Sequence, residues 1–292
     1  MENFVHYSLV KKVKDDSFEV DHLHDYSLSL QVSGNSFRFC VIDTVKHRCM
    51  LIEDYSFHPG SDADHVIAQL AHIFEDNTLL KAGFWKNIKL SIKNLKFSLV
   101  PQSLFSEEYI GNYLAINCTY TNDEELHYFK HGRNDTVNIF ASEKKITDWI
   151  KAQYPRKTIE IMHHTSIFIE GVFQNHHHAA EKTVYINVEE NIVTIVVKKG
   201  LQLEFCNNFH YRTTNDFLYY VLFVYDELGM NPDTTKTVLA GNIHKNSELY
   251  MRLYKYIRHV DFSLKPASLK FAYNFDEVHD HRYFELYSMY YC

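Results

Sequence analysis

Glycine is scarce in this sequence, with nine residues in 292, less than half the usual share of about 7%. Glycine lets backbone N–H groups close around phosphate, so a chain this poor in it has few places for a phosphate-cradling loop. No GxxxxGK, GxGxxG, GxSxG or HExxH occurs. That removes the P-loop, the dinucleotide fingerprint, the hydrolase nucleophile elbow and the zinc-protease helix. The five cysteines (Cys40, Cys49, Cys118, Cys206, Cys292) are odd in number and contain no CxxC pair, which argues against a disulfide framework and a zinc site and for a reduced compartment. No apolar run approaches the roughly 18 residues that cross a bilayer, and Met1 to Val20 has no apolar signal core, so no membrane is expected and the expected location is the cytoplasm. Lys and Arg number 30 against 37 Asp and Glu, a net charge of -7, which leaves no strong nucleic-acid signal.

What is abundant is apolar and aromatic. Hydrophobic residues make up 46% of the chain and aromatic residues 15%, with 21 Tyr and 21 Phe. Such a composition suits a large core, or a surface made for protein contact. From Val184 to Tyr211 the pattern predicts three antiparallel strands, Val184–Val188, Ile192–Val197 and Leu201–Phe205, broken at Glu189-Glu190-Asn191 and Lys198-Lys199-Gly200. β-branched and aromatic residues dominate each run, and the breaks are hairpin-length. The stretch Leu28–Phe57 reads the same way. Laid over the first without a gap, Leu28 falls on Val184, Leu30 on Ile186, Val32 on Val188, Phe39 on Ile195 and Val41 on Val197. Two such units in one chain point to an internal duplication.

Helices are expected at Asp62–Asp76, capped by Ser61 or Asp62, near Ser106–Asn117, at Ser142–Ala152 and at Thr165–Phe173. In the second half they are expected at Asp216–Leu228, capped by Thr214 or Asn215, at Ser247–Arg258 and at His281–Tyr291. The Asp216–Leu228 segment is apolar almost all round, which predicts burial on several sides, Phe223 included. Further short strands are expected at Ile88–Ile92, Leu95–Val100, Tyr128–His131, Thr136–Phe140, Thr158–Met162, Lys236–Ala240 and Ser268–Tyr273. Each half thus reads strand–strand–strand–helix–strand–helix–strand, and Leu28–Val100 and Val184–Asp261 are expected to superpose. Asn175–Lys182, with His176, His177 and His178, reads as a linker.

This order, occurring twice, resembles the duplicated ribonuclease-H-like fold of the actin-like ATPase superfamily, and Lys93–Asn117 looks most like its FtsA and PilM branch. Leu239-Ala240-Gly241-Asn242 and His281-Arg282-Tyr283-Phe284-Glu285-Leu286 resemble a bacterial family known only as a domain of unknown function. The resemblance implies a mixed α/β chain of two lobes, each with a five-stranded mixed sheet flanked by helices. The lobes would span 1–179 and 180–292, with a small inserted subdomain at about 101–135.

Active members of that superfamily hold ATP between lobes, with an Asp-x-Gly turn in each: the Asp for hydrated Mg²⁺, the Gly for close phosphate approach. The resemblance puts the Asp positions on Gln31 and Asn187 and the Gly positions on Ser33 and Glu189, with Gly34 and Glu190 beside them. Amides bring no charge to the metal. A carboxylate facing phosphate at about 4 Å costs roughly 1 kcal/mol in water and about 4 kcal/mol at an effective dielectric near 20. The adenosine-contacting Gly-Gly turn falls on Ala240-Gly241, a half match that is also an ordinary strand-end turn. Neither first strand carries an Asp or Glu, so the two-metal nuclease chemistry of ribonuclease H is excluded at its first residue. Adjacent histidines on extended backbone point apart, so no metal is expected at His163-His164, at His176–His178 or at His279 and His281. No cofactor, no catalytic residue and no nucleotide are expected. The function these features favour is a non-catalytic scaffold acting through an unknown protein partner. An atypical nucleotide-binding ATPase or kinase is the alternative, and an RNA-associated factor a weaker one. Tyr283, Leu286, Tyr287, Tyr290 and Tyr291, at helical spacing, either form the contact surface or close the core of the second lobe.

Overall fold

The computed structural model describes residues 7–58, 60, 62–175 and 181–292. The expected linker histidines 176–178 lie outside the described residues. In chain order the first half contains β1 (Tyr7–Lys14), β2 (Tyr26–Val32), β3 (Ser36–Asp43), β4 (Arg48–Phe57), α1 (Ala63–Asp76) and β5 (Asn87–Ile92). There follow β6 (Phe97–Pro101), α2 (Ile110–Ala115), β7 (Glu124–Lys130), β8 (Thr136–Glu143), α3 (Lys144–Gln153), β9 (Ile159–His163) and α4 (His164–Asn175). The second half has β10 (Lys182–Glu189), β11 (Ile192–Lys199), β12 (Gln202–His210), α5 (Thr214–Glu227), β13 (Lys236–Gly241), α6 (Glu248–Leu253), β14 (Val260–Phe262) and α7 (Phe284–Ser288). Two compact units result. One takes the residues up to Lys130, Val137–Ser166 and Ser268–Glu277; the other takes His131–Thr136, Ile167–Ala267 and Val278–Cys292.

The first unit is built on a six-stranded sheet, β1-β4-β3-β2-β5-β9, and the second on a five-stranded sheet, β12-β11-β10-β13-β14. With β1 set aside, the two sheets have the same order and the same directions. Antiparallel hairpins join the first three strands, and the remaining two pair parallel to them. The duplication extends to register. Leu28 faces Val41 and Leu30 faces Phe39, as Val184 faces Val197 and Ile186 faces Ile195. The backbone repeats it: Lys93 N–H donates to Val32 O at 2.9 Å, and Asn242 N–H donates to Val188 O at 2.5 Å. Alternation has period two, so a slip of one residue would turn Leu28, Leu30 and Val32 away from the core, which is why the gapless match holds.

Both faces of each sheet are covered, since β2, β3 and β10 bury nearly every residue; one face is apolar, and the other buries polar side chains such as Ser27, Ser29 and Gln31 on β2 and Thr183 and Asn187 on β10. In the first unit α1 lays Val66, Leu70, Ile73 and Phe74 on the sheet. Asp62 caps its N-terminus by accepting from His65 N–H at 2.8 Å. Phe74 meets Trp149 edge-on at 5.1 Å, which ties α1 to α3. In the second unit α5 buries Phe217, Leu218, Val221, Val224 and Tyr225. Its capping box runs from Thr213, one residue before Thr214 and two before Asn215, the expected caps.

Several expectations are corrected. The strand Leu95–Val100 does not complete the first sheet; as β6 it joins β7 and β8 in a separate three-stranded sheet. That sheet is inserted between β5 and α3, so the counterpart of β14 is β9. The helix expected from Ser106 opens as a 3₁₀ turn, Glu107–Tyr109, and only then becomes α2. Ser247–Arg258 is helical only as α6. Ser268–Tyr273 is no strand: Lys270 makes one isolated bridge to Arg48 in the first unit, and its N–H donates to His47 O. The face of α5 that carries Tyr219 and Phe223 is exposed, at 62% and 42%; an all-round apolar sequence here gives one buried stripe and one aromatic outer stripe. The C-terminal helix is shorter than expected, α7 followed by a 3₁₀ turn, Met289–Tyr291.

Candidate functional site

The two phosphate-loop positions, alike in topology, are built differently. In the first unit Gln31 is 3% exposed near the end of β2 and faces Arg38 on β3. Arg38 and Asp54, both buried, form an ion pair with Nε 2.8 Å from Oδ1. Ser33 turns the chain into β3: its N–H donates to Ser36 O at 2.9 Å, and its hydroxyl donates to Asn35 Oδ1 at 2.7 Å. Gly34 is exposed at the tip with open space around it. Beside this turn lies a cavity of about 210 Å³ whose wall includes Ser33, Gly34, Asp62, Lys93, Asn94 and Glu143. Lys93, the residue after β5, lines this wall together with Asp62, the α1 cap, and Glu143, the residue before α3.

In the second unit the matching positions are filled by the chain itself. Asn187 is 1% exposed, and its Nδ2 donates to Glu285 Oε1 at 2.7 Å. Glu189, the last residue of β10, is buried and lies 3.7 Å from the guanidinium of Arg282. Glu190 is exposed in the turn. Burial first, and then the Glu189 and Glu190 charges, push the Tyr211 phenol up to about 12. Ala240 is buried on β13. Gly241 follows it with φ at +84°, and a Cβ there would lie 2.2 Å from Val188 O and 2.6 Å from Asn187 Oδ1. Only glycine fits so near a carbonyl at that φ. Gly241 N–H donates to His281 O at 2.8 Å, and His281 Nε2 donates to Ile243 O at 2.6 Å. Burial holds the imidazole below its ordinary value, against the opposing pull of that hydrogen bond.

Three residues of one C-terminal segment, His281, Arg282 and Glu285, thus engage Gly241, Glu189 and Asn187. Two of the sequence blocks behind the resemblance, Leu239–Asn242 and His281–Leu286, prove to be the two sides of one contact. Glu285 and Lys93 were not singled out as site residues. Nothing local signals either of them, since one acts across 98 residues and the other takes its place only from the parallel pairing of β5 with β2.

The terminal aromatic group is corrected as a surface. Tyr283, Leu286 and Tyr287 are 3%, 1% and 0% exposed, and Tyr290 and Tyr291 are half-buried. The cause is Gly171 on α4: an added Cβ there would meet Ser288 Oγ at 2.2 Å and Phe284 at 2.9 Å. With no side chain at 171, α7 lies close against α4, and Phe284 meets Phe168 edge-on at 5.8 Å. The helix closes the core of the second unit.

Two sheets of common order with helices on their faces, joined in one chain, are the architecture of the actin-like ATPases. A protein of actin-like ATPase fold and unknown function from Bacteroides thetaiotaomicron matches with a TM-score of 0.79 over 94% of this chain and 99% of that one, at 20% identity. A chain of the PilM–PilN type IV pilus biogenesis complex matches with a TM-score of 0.56 over 90% of this chain and 96% of its own, at 11% identity. No curated protein sequence matches. The family model described as "Protein of unknown function (DUF3822)" matches residues 15–260, and the chain belongs to that family.

Proposed function

We propose that this chain is an actin-like protein that does not turn over nucleotide and acts by binding a protein partner. The observation that carries the reading is the Asn187–Glu285 hydrogen bond with its flanking Arg282–Glu189 and His281–Gly241 contacts. An amide stands where the superfamily places a metal-binding carboxylate, and it is held by the chain's own C-terminal segment. A phosphate entering there would meet the Glu189 and Glu190 charges and would have to displace buried hydrogen bonds, each group left unpaired costing about 1–3 kcal/mol. The PilM–PilN complex, similar in fold, joins two proteins by its own description, which fits a fold used for contact. The contact surface this reading assigns is the outer stripe of α5, where Tyr219 and Phe223 stack at 6.0 Å and remain exposed. A cytoplasmic location suits the five free thiols, two of which, Cys40 and Cys49, share a hydrogen bond at 3.6 Å and no disulfide.

Calorimetry with ATP and Mg²⁺ tests the first half: no heat is expected up to millimolar nucleotide, and micromolar binding overturns the reading. A photo-crosslinking residue at Tyr219 tests the second. It should capture one protein in the native cytoplasm, and Phe223→Ala, still folded, should lose it.

One observation favours the nucleotide alternative. The first unit keeps an open cavity at its loop, with Lys93 in the wall. Under that alternative phosphate or nucleotide enters there, and Lys93→Met abolishes whatever binding calorimetry detects.

A further inference from the structure

Between β1 and β2, in the first unit, Asp15, Asp16, Glu19, Asp21 and Asp25 follow one another with no Lys or Arg between them. The end of this stretch is a 3₁₀ turn, Val20–Asp25, with Glu19 just before it. In such a turn residues three apart eclipse one another, so Glu19, His22 and Asp25 stand in one row, and His24 is next to its last member. The turn is fixed to the unit at two points. Leu23 is 4% exposed in the core, and Asp25 O accepts from Thr44 N–H at 3.1 Å and from the Thr44 hydroxyl at 2.7 Å.

The row gives His22 a different neighbour at each ring nitrogen. Nε2 lies 3.1 Å from Glu19 Oε2, a hydrogen-bond distance. Nδ1 lies 3.8 Å from Asp25 Oδ2, and His24 Nε2 lies 3.6 Å from the same oxygen. Those two separations are too long for hydrogen bonds. They come within a few tenths of an ångström of the roughly 3.4 Å edge of a tetrahedron whose nitrogen and oxygen ligands stand about 2.0–2.1 Å from zinc. One donor atom from each of His22, His24 and Asp25 lies within 4.8 Å of the other two. Glu19 adds what a ligating histidine ordinarily has, a carboxylate that accepts from the far ring N–H and leaves the lone pair of the near nitrogen for the metal.

We propose that this turn binds one divalent cation of the zinc class, with His22, His24 and Asp25 as its ligands and Glu19 as the positioning residue that orients His22. Two imidazoles and one carboxylate suit Zn²⁺, Co²⁺ or Ni²⁺, whereas Mg²⁺ and Ca²⁺ take oxygen ligands. Cysteine has no part in the site. The His22 and His24 side chains are 48% and 68% exposed, so the fourth position faces solvent and takes water, as in zinc sites with three protein ligands. The site uses none of the residues at the phosphate-loop positions, so it stands or falls separately from the reading above.

The test is titration of the intact, untagged chain with Zn²⁺ against a chromophoric chelator, and with Co²⁺, whose visible bands report a tetrahedral ligand set. The chain should take up zinc at micromolar free metal and give the Co²⁺ bands, and a millimolar excess of Mg²⁺ should not displace either ion. His22→Ala and His24→Ala should each lose the zinc and the bands. A variant with His176, His177 and His178 all changed to alanine should keep both, which sets that second group of histidines aside. Glu19→Ala should keep the Co²⁺ bands, since the ligands are unchanged, and bind Zn²⁺ about tenfold more weakly, the lower end of the range for a carboxylate behind a ligand. Glu19, His22 and His24 are exposed, so an unchanged melting midpoint without metal will certify the fold of each variant. Zinc uptake that survives both histidine substitutions overturns the proposal, as does uptake lost with the 176–178 substitutions, displacement by Mg²⁺, or no uptake at all. Wild-type affinity in Glu19→Ala overturns the positioning role of Glu19.

Discussion

The side-chain amide of Asn187 donates to the carboxylate of Glu285 at 2.7 Å across 98 residues of sequence, with both groups buried. An amide satisfies a buried carboxylate without adding charge. An aspartate in its place would set two carboxylates against each other, and one would have to take a proton or remain strained. The same substitution that would restore a metal-binding carboxylate to β10 therefore acts against folding.

Asn187→Asp should destabilise the second unit by about 3 kcal/mol at neutral pH, the scale for an uncompensated buried charge. Acidification should relieve the deficit, because protonating one carboxylate restores a donor. Denaturant titrations at pH 7.5 and pH 5 measure it. An equal loss at both would show that repulsion between the carboxylates is not the cause.

Gly241→Ala should cost about 2–3 kcal/mol. The backbone sits at φ +84°, where a side chain is strained, and the new Cβ would lie 2.2 Å from Val188 O. Gly200 and Gly229 share a positive φ with open space around them, so alanine there should cost only about 1 kcal/mol. Comparing the three midpoints separates crowding from φ strain; similar losses at all three would mean that the approach to Val188 carries no energy.

The register of both sheets was legible because β-strand alternation is a local signal: Leu28, Leu30 and Val32 against Val184, Ile186 and Val188 need no tertiary knowledge. The fate of helical aromatic stripes was not legible. Tyr283, Leu286 and Tyr287 have the spacing of a surface stripe and of a core stripe alike, and what decides between them is the missing side chain at Gly171, 112 residues before Tyr283. On α5 the same ambiguity ran the other way. The C-terminal contacts at Asn187, Glu189 and Gly241 join segments far apart in sequence. No window of residues contains them, although the two blocks that carry them stood out as blocks.

Phe223→Ala should change stability by less than about 1 kcal/mol, since the residue is already 42% exposed. Phe217→Ala, on the inner face of α5 and 0% exposed, should cost about 3–5 kcal/mol. The pair of melting midpoints checks the orientation of α5, and a large loss at Phe223 would mean that this face is covered.

His281 should make the second unit sensitive to mild acid. Its ring is held below the ordinary value first by burial; the hydrogen bond to Ile243 opposes this, and the neighbouring His279 adds to it. An unfolded imidazole takes a proton near pH 6.5, whereas the folded one refuses it until lower pH. Below about 6.5 the unfolded chain therefore binds more protons, and stability falls with falling pH; above 6.5 both forms are neutral and the contribution is complete. His127 in the first unit is shifted the same way by burial, so His281→Gln should remove only part of the slope. Melting midpoints between pH 5 and 7.5 should decline below 6.5 in the wild type and more shallowly in the variant, whose glutamine amide can still donate toward Ile243 O. Parallel curves would mean that the His281 imidazole is free to take its proton in the fold, and that its contact with Ile243 does not depend on the neutral ring.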